Sequence, residues 1–244
     1  MTLGKQQRIA FLMEQVTRQG MIGLREVSAR LGVSEMTVRR DVAAADGRLS
    51  ILGGHILPER VAMPAGGQGP AQEDRRAVKI RACEWACSLI EPDDTLFVDC
   101  GSTLAHLARR LPQDQRLTVV CYSLDVAEAV ARRPGIRMVL MGGLYHADSG
   151  SFEGDSGLAT LRSVRLNKAF ISAGGIHPSR GVSCTNFHEV LAKRAAMENA
   201  LVSYLVADSS KFGRLTPAYF ADLRSFAAIV TETGIAPPPR PEGG

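Results

Sequence analysis

The stretch Ser34-Glu-Met-Thr-Val-Arg-Arg-Asp41 predicts the start of a helix with one buried and one exposed face. Ser34 follows a glycine turn, so its hydroxyl can accept a hydrogen bond from the free N–H groups two or three residues further on. Val38 and Val42 are four residues apart on one side of the helix, where they can pack on a core. The opposite side carries polar and basic side chains and is left for solvent or a ligand.

Two further helices are predicted before this one. Apolar residues recur at helical spacing over residues 9–16, and Leu24–Leu31 forms a second short helix. Two helices, a tight turn and a capped third helix are typical of a helix-turn-helix, whose last helix enters the major groove of DNA. The residues expected to contact DNA lie at the cap and on the exposed side: Ser34, Met36, Thr37, Arg39 and Arg40. The alternative is a plain three-helix bundle with a solvated basic face.

Composition and charge favour two domains. Apolar residues make up 45% of the chain, which suffices for a core, and the formal net charge is +4. Residues 1–60 hold nine Lys/Arg against six Asp/Glu, whereas the remainder is nearly balanced. A small basic head on a nearly neutral body fits phosphate contacts by the head.

Glycine and proline mark the domain boundaries. We predict a helix-turn-helix domain at residues 1–57, a flexible linker at 58–72, an α/β domain at 73–234 and a Pro/Gly-rich tail at 235–244. The linker holds few large apolar residues and cannot build a core of its own.

The cysteines indicate a reducing compartment. Five cysteines, an odd number, are scattered through apolar surroundings, which differs from a disulfide framework. Cys83 and Cys87 share a predicted helix, but no second Cys/His pair completes a metal site, so we predict neither metal nor cofactor. Neither a signal peptide nor a membrane-spanning run is evident, so a cytoplasmic protein without membrane association is expected.

Beyond residue 73, short apolar runs alternate with helical patterns. The predicted strands are 95–99, 117–121, 137–141, 169–173, 204–207 and 227–230. The predicted helices are 73–91, those beginning near 102 and 124, 156–164 and 189–201. Such alternation favours a mainly parallel sheet covered on both faces, with ligands bound past the carboxyl ends of the strands.

Small and polar residues follow these strands and form the predicted ligand site. Glycine lets a turn approach a ligand closely, and hydroxyls and free N–H groups at a helix start can receive a phosphate. Lysines supply the cationic partners, Lys211 first and Lys79 second. The full candidate set is Lys79, Asp99, Gly101, Ser102, Thr103, Ser123, Gly142, Gly143, Gly174, Glu189 and Lys211. Ordinary turn chemistry, and a solvated helix lysine at position 79, are the alternatives.

The sequence from Leu24 to Asp41, Leu-Arg-Glu-Val-Ser-Ala-Arg-Leu-Gly-Val-Ser-Glu-Met-Thr-Val-Arg-Arg-Asp, resembles the signature of the DeoR family of bacterial sugar-operon repressors. The resemblance continues to about Leu223. It implies a winged helix-turn-helix domain and an α/β sensor domain similar to ribose-5-phosphate isomerase. It also implies a repressor whose binding to DNA is weakened by a phosphorylated sugar. The chain departs from the family at residues 51–54, which are apolar where many members carry a basic, histidine-containing wing.

Four stretches resemble those family members that control deoxyribose catabolism: residues 94–103, 120–124, 184–189 and 210–213. On this resemblance, the target is a sugar or deoxyribonucleoside catabolic operon, and deoxyribose 5-phosphate is the first expected effector. A symmetric homo-oligomer is the expected form on operator DNA, because two heads can then contact two half-sites.

A sugar-phosphate isomerase with an accessory DNA-binding head is the alternative function. Proton transfer between sugar carbons needs a carboxylate base and a second acid, and Glu189 is a candidate base. By the resemblance, Gly174 stands where related isomerases and many family regulators carry an acidic residue, so we predict binding without catalysis. Glu189 would then accept from sugar hydroxyls or pair with Lys193, four residues on. His146, His177 and His188 are separated in sequence and are predicted to be hydrogen-bonding loop residues.

Overall fold

The computed structural model describes residues 4–19, 22–45, 49–52, 55–58 and 70–239. The chain divides into two compact units, Met1–Gly67 and Gln68–Gly244. Residues 59–69 of the predicted linker and residues 240–244 of the predicted tail lie outside the described residues. No helix in the described part of the chain is long and apolar enough to cross a membrane.

The first unit is a winged helix-turn-helix. Its helices are α1 (Lys5–Gln19), α2 (Leu24–Leu31) and α3 (Glu35–Ala43), and its strands are β1 (Ile22–Gly23), β2 (Leu49–Leu52) and β3 (His55–Pro58). The strands form an antiparallel sheet in the order β1-β3-β2. Gly53 and Gly54 of the apolar segment lie outside the described residues, whereas Ile51 packs against the core of this unit.

The turn between α2 and α3 has the predicted chemistry. Gly32 ends α2 in the left-handed region at φ 63°, which glycine adopts without strain. Ser34 then caps α3, because its Oγ accepts a hydrogen bond from the Thr37 N–H at 3.2 Å. Val38 and Val42 are buried in the core, which confirms the predicted stripe.

An ion pair between α1 and α3 was not predicted. Nε and Nη2 of Arg8 donate to the two carboxylate oxygens of Asp41 at 2.6 and 3.0 Å. Asp41 is only 2% exposed, so its charge is out of water and depends on this guanidinium. The two planar groups therefore fix how α3 sits on α1.

The second unit contains five α-helices, two short 3-10 helices and twelve strands among the described residues. The helices are α4 (Pro70–Cys87), α5 (Ser102–Ala108), α6 (Leu124–Val130), α7 (Asp155–Ser163) and α8 (Glu189–Asn199). The strands are β4 (Thr95–Val98), β5 (Thr118–Cys121), β6 (Arg137–Leu140), β7 (Leu144–His146), β8 (Ser151–Glu153), β9 (Leu166–Ile171), β10 (Gly175–His177), β11 (Gly181–Cys184), β12 (Ala200–Val206), β13 (Ala218–Ala221), β14 (Ala228–Thr231) and β15 (Gly234–Ala236).

A seven-stranded sheet organises this unit in the order β15-β14-β12-β9-β4-β5-β6. All neighbours pair in parallel except β14 and β15. One core lies between the sheet and α4, α5 and α6, and contains Leu104 and Val126. A second core, with Leu161 and Phe220, covers the other face. The predicted parallel sheet covered on both faces is confirmed.

Two antiparallel additions were not predicted. Strands β7 and β8 form a hairpin, and β10, β11 and β13 form a small separate sheet. Each of these strands is only three or four residues long, too short for a clear alternation of apolar and polar residues. The predicted strand 169–173 is also shifted, because β9 covers Leu166–Ile171.

Replacing Asp41 by Asn tests the ion pair in the first unit. The amide keeps the shape of the carboxylate but leaves the Arg8 guanidinium without its charge partner. We expect Asp41→Asn to lower the midpoint of thermal unfolding of the first unit by several degrees. Glu35→Gln is the matched control, because Glu35 and Arg25 form an exposed pair at 3.4 Å. Equal midpoints for the two variants would contradict the assigned role of Asp41.

Candidate functional site

In the first unit, the predicted DNA-contacting side chains lie along one helix. Arg39 and Arg40 are exposed on α3, and Met36 is 59% exposed. Thr37 is half-buried, with its Oγ1 3.0 Å from Oγ of Ser34. A cationic and polar face of this size can contact base edges and phosphates together.

In the second unit, a cationic site lies where β4 ends. Gly101 follows β4 with φ 102°, and Nζ of Lys79 donates to Oγ of Ser102 at 2.9 Å. The pKa of Lys79 is lowered, mainly by burial and further by the nearby charges of Lys211 and Arg75, while Asp208 opposes this shift. The structure thus brings four of the predicted residues together, from α4, the end of β4 and the segment after β12. Clustered positive charge of this kind favours an anionic ligand.

Asp99 lies beneath this site and is fully buried. Its Oδ1 accepts from Tyr122 Oη at 2.6 Å, and its Oδ2 accepts from the N–H and Oγ of Ser172, both at 2.8 Å. Lys193 Nζ also donates to Oδ2. The carboxylate therefore joins the ends of neighbouring strands and faces no open space. Burial, followed by the charge of Asp99, raises the pKa of Tyr122, which keeps this phenol protonated as a donor.

Lys193 was predicted only as a partner of Glu189, and its contact with Asp99 at the centre of this site was not predicted. Its side chain is fully buried, and its Nζ contacts Asp99, Ser172 Oγ at 3.2 Å and Glu189 Oε2 at 3.4 Å. Burial is the largest single influence and would lower the pKa of Lys193, but the nearby acidic groups, with Asp99 first, together raise the pKa above its ordinary value. Its spacing from Glu189 and Ala196 on the buried face of α8 was the available signal.

Glu189 makes the ion pair that was one of its two predicted roles. Glu189 is 6% exposed, and its carboxylate also accepts from Nδ2 of Asn186 at 2.8 Å. Its other predicted role, accepting from sugar hydroxyls, stays a prediction.

Several predicted residues are positioned by packing. Thr103 and Ser123 are buried. Gly143 has φ 148°, and a Cβ there would collide with the carbonyl oxygen of Glu153, so only glycine fits. A Cβ at Gly174 would lie 3.1 Å from Oγ1 of Thr216. Gly142 is different, because it lines a small cavity.

Two histidines that are far apart in sequence meet in space. The imidazoles of His146 and His188 stack with centroids 3.8 Å apart and an interplanar angle of 9°. Both make hydrogen bonds as predicted, His146 with Glu153 and His188 with Ser149 and Ser151, but their stacking was not predicted. Within the described residues, no group of three or more His, Cys, Asp or Glu side chains could hold a metal ion.

A winged helix-turn-helix together with an α/β unit that holds a cationic site defines a DNA-binding regulator with a sensor domain. Two family models match the chain: the DeoR-like helix-turn-helix domain over residues 8–55 and the DeoR C terminal sensor domain over residues 74–233. The chain belongs to the DeoR family.

Relatives of full length support this assignment. The deoxyribose operon repressor of Escherichia coli strain K12 is 36% identical over 232 residues, covering 93% of this chain and 90% of the relative. The glycerol-3-phosphate regulon repressor of the same strain is 30% identical over 237 residues, covering 96% and 92%.

Among solved structures, the translation initiation factor eIF-2B of Pyrococcus horikoshii OT3 shares the fold with a TM-score of 0.51 and 19% identity, covering 69% of this chain and 67% of that chain. Ribose 5 phosphate isomerase A from Neisseria gonorrhoeae has a TM-score of 0.42 and 17% identity, covering 57% and 53%.

Removing the buried lysine tests the centre of the second unit. Lys193→Met leaves the Asp99 carboxylate buried without its counter-charge, so we expect a loss of about 3 kcal/mol or more in the free energy of unfolding. Lys211→Met is the control, because Lys211 is partly exposed and its loss should cost far less. The double variant Asp99→Asn with Lys193→Met should recover part of the loss, as measured by denaturant unfolding. A loss no larger than that of the control would rule out the pair as a main constraint.

Proposed function

We propose that this protein is a cytoplasmic repressor of a sugar or deoxyribonucleoside catabolic operon, and that a phosphorylated sugar releases it from its operator. The observation that carries this proposal is the pairing of an exposed basic face on α3 with a separate cationic site around Lys79 and Ser102. One unit offers contacts to DNA, and the other offers contacts to a small anion.

On the DNA side, α3 enters the major groove with its N-terminal end leading. Met36 and Thr37 lie nearest the base edges, and Arg39 and Arg40 contact phosphates or guanine. Ser34 remains the helix cap and can also meet a phosphate through its exposed hydroxyl. The core contacts of Val38 hold this face at a fixed angle.

On the effector side, Lys79 and Lys211 bind the phosphate together with the Ser102 hydroxyl. Asp99, Gly101 and Glu189 shape the adjoining strand ends. Deoxyribose 5-phosphate is our first choice of effector, because the 36% identical relative is a deoxyribose operon repressor. The glycerol-3-phosphate regulon repressor among the relatives also points to a phosphorylated ligand.

We propose that the protein binds sugar phosphates without converting them. Glu189, the candidate base, is held by Lys193 at 3.4 Å and Asn186 at 2.8 Å. Gly174 supplies no second acid, and a side chain there would press on Thr216. General acid–base catalysis needs both partners within reach of the substrate.

Release from DNA requires that the effector bind two arrangements of the protein unequally. We propose a symmetric homo-oligomer in which effector binding changes the fit of two heads to two half-sites. A coupling of about 1–3 kcal/mol would weaken DNA binding roughly 5–150-fold.

Arg40→Ala tests the DNA interface. Loss of one arginine contact should weaken operator binding by about 1–3 kcal/mol, and loss of a phosphate contact should reduce the salt slope of log K by about one. Arg224→Ala is the control, because Arg224 is exposed in the second unit. Fluorescence anisotropy of operator DNA at several salt concentrations measures both quantities. Unchanged affinity and slope in Arg40→Ala would refute this docking of α3.

Lys79→Ala and Lys211→Ala test the effector site. Each removes a charged partner of the phosphate, so the deoxyribose 5-phosphate concentration that releases operator DNA should rise roughly 10–100-fold. Arg81→Ala is the control, because Arg81 is exposed on the same helix as Lys79. An assay for isomerised sugar in the same samples separates regulator from enzyme. Release at unchanged concentrations in both lysine variants, or turnover at an enzymatic rate, would contradict the proposal.

A further inference from the structure

A cavity of about 50 Å³ lies at the carboxyl end of β6, apart from the lysines of the phosphate site. The β7–β8 hairpin, the start of α7 and the start of α8 surround it. Its lining includes Gly142, Glu153, Gly154, Asp155, His188 and Leu191. Polar groups and an apolar wall therefore face the same space.

The polar groups are held in place but keep free hydrogen-bonding capacity. Nε2 of His188 lies 3.1 Å from Ser149 Oγ and 3.3 Å from Ser151 Oγ, and its ring stacks on His146. Oε2 of Glu153 lies 2.9 Å from Nε2 of His146. In the part of the chain that the structure describes, no hydrogen-bond partner meets Nδ1 of His188 or Oε1 of Glu153. Glu153 and His188 both line the cavity and are at least partly exposed, so each can make one more hydrogen bond.

Gly142 leaves room on the cavity wall. Apart from its chain neighbours, no heavy atom lies within 4 Å of the position a Cβ would take at Gly142. By contrast, Gly154 and Gly157 are packed against the Gly142 carbonyl oxygen, where a Cβ would lie 3.2 and 3.1 Å away. A larger side chain therefore has room at position 142 but not at positions 154 and 157.

The charge of the cavity decides which part of a ligand can enter. Glu153 and Asp155 would repel a phosphate, whereas carboxylate oxygens accept readily from hydroxyl groups. The apolar side chain of Leu191 can lie against the carbon skeleton of a sugar. The chemistry fits the hydroxyl-bearing end of a carbohydrate.

The distance to the phosphate site limits the ligand's length. Gly101 follows β4 and Gly142 follows β6, with β5 between them, so the two strand ends are roughly 10 Å apart. A pentose phosphate has two more carbons than a three-carbon phosphate, so its hydroxyl end reaches further from the phosphate towards the cavity.

We propose that this cavity binds the hydroxyl end of the sugar phosphate whose phosphate lies at Lys79 and Ser102. His188 and Glu153 provide the hydrogen bonds, and His146 is a positioning residue. This inference rests on the proposed function, since it assigns the second half of the same effector site. It makes the cavity the feature that distinguishes pentose phosphates from shorter phosphates.

Titration calorimetry of the full-length protein with inorganic phosphate, glycerol 3-phosphate and deoxyribose 5-phosphate tests this inference. Gly142→Val fills the cavity, and Glu153→Gln removes a charged acceptor while keeping its shape. We expect each to weaken deoxyribose 5-phosphate binding about tenfold or more. Binding of inorganic phosphate and glycerol 3-phosphate should stay within about twofold of the unmodified protein. Glu198→Gln, exposed on α8, is the control and should change none of the three.

The outcomes distinguish this inference from the proposed function. If the unmodified protein binds deoxyribose 5-phosphate and both variants bind it equally well, the cavity assignment is overturned and the proposed function stands. If both variants weaken all three ligands alike, the cavity does not act on the sugar end and the assignment is also overturned. If the unmodified protein binds no sugar phosphate, the proposed function fails and this inference fails with it. Thermal unfolding of each variant checks folding, and Glu153→Gln carries the test if Gly142→Val is unfolded.

Discussion

The buried contact between Asp99 and Lys193 is the interaction on which the second unit depends. Both side chains are fully buried, and each would be costly without the other. Asp99 follows β4 and contacts Ser172 after β9 and Tyr122 after β5, while Lys193 comes from the middle of α8. Three strand ends and a covering helix are thus fixed by one pair of charges. The turn at Gly101, part of the proposed phosphate site, lies next to this pair, since a Cβ there would be 3.5 Å from Oγ of Ser172, which itself contacts Asp99.

Interactions between residues close together in the sequence could be predicted, and interactions between distant residues could not. The Ser34 cap and the Val38–Val42 stripe involve residues within one helix, and spacing alone reveals them. The parallel strands were predicted because each is a continuous apolar run between helices. The pairs Arg8–Asp41 and Asp99–Lys193 join residues 33 and 94 positions apart, and no local pattern couples them. For the same reason, the stacking of His146 on His188 could not be predicted.

For the predicted ligand residues, the position at a strand end could be predicted, but the direction of the side chain could not. Lys79 and Ser102 were proposed separately and lie within hydrogen-bonding distance. A parallel sheet brings strand ends to one edge, which is why residue type and position sufficed there. Residue type did not show which side chains turn inward. Asp99, Thr103 and Ser123 occupy strand ends as expected, but their side chains are buried. Inward and outward positions in a turn depend on local backbone angles that the sequence pattern does not specify.

One continuous segment links the cavity to the proposed phosphate site. His188 lines the cavity, Glu189 and Lys193 follow on α8, and β12 then leads to Asp208 and Lys211 near Lys79. Carboxylates line the cavity, a neutralised pair lies in the centre, and lysines lie at the proposed phosphate site. A sugar phosphate carries hydroxyls at one end and negative charge at the other. Electrostatics therefore favours the orientation that places the phosphate at the lysines and the hydroxyls at the carboxylates. Because Lys193 in the middle of α8 is held by Asp99 after β4, the buried pair fixes α8 to the strand end that carries the proposed phosphate site, so the two parts of the proposed ligand site share one rigid support.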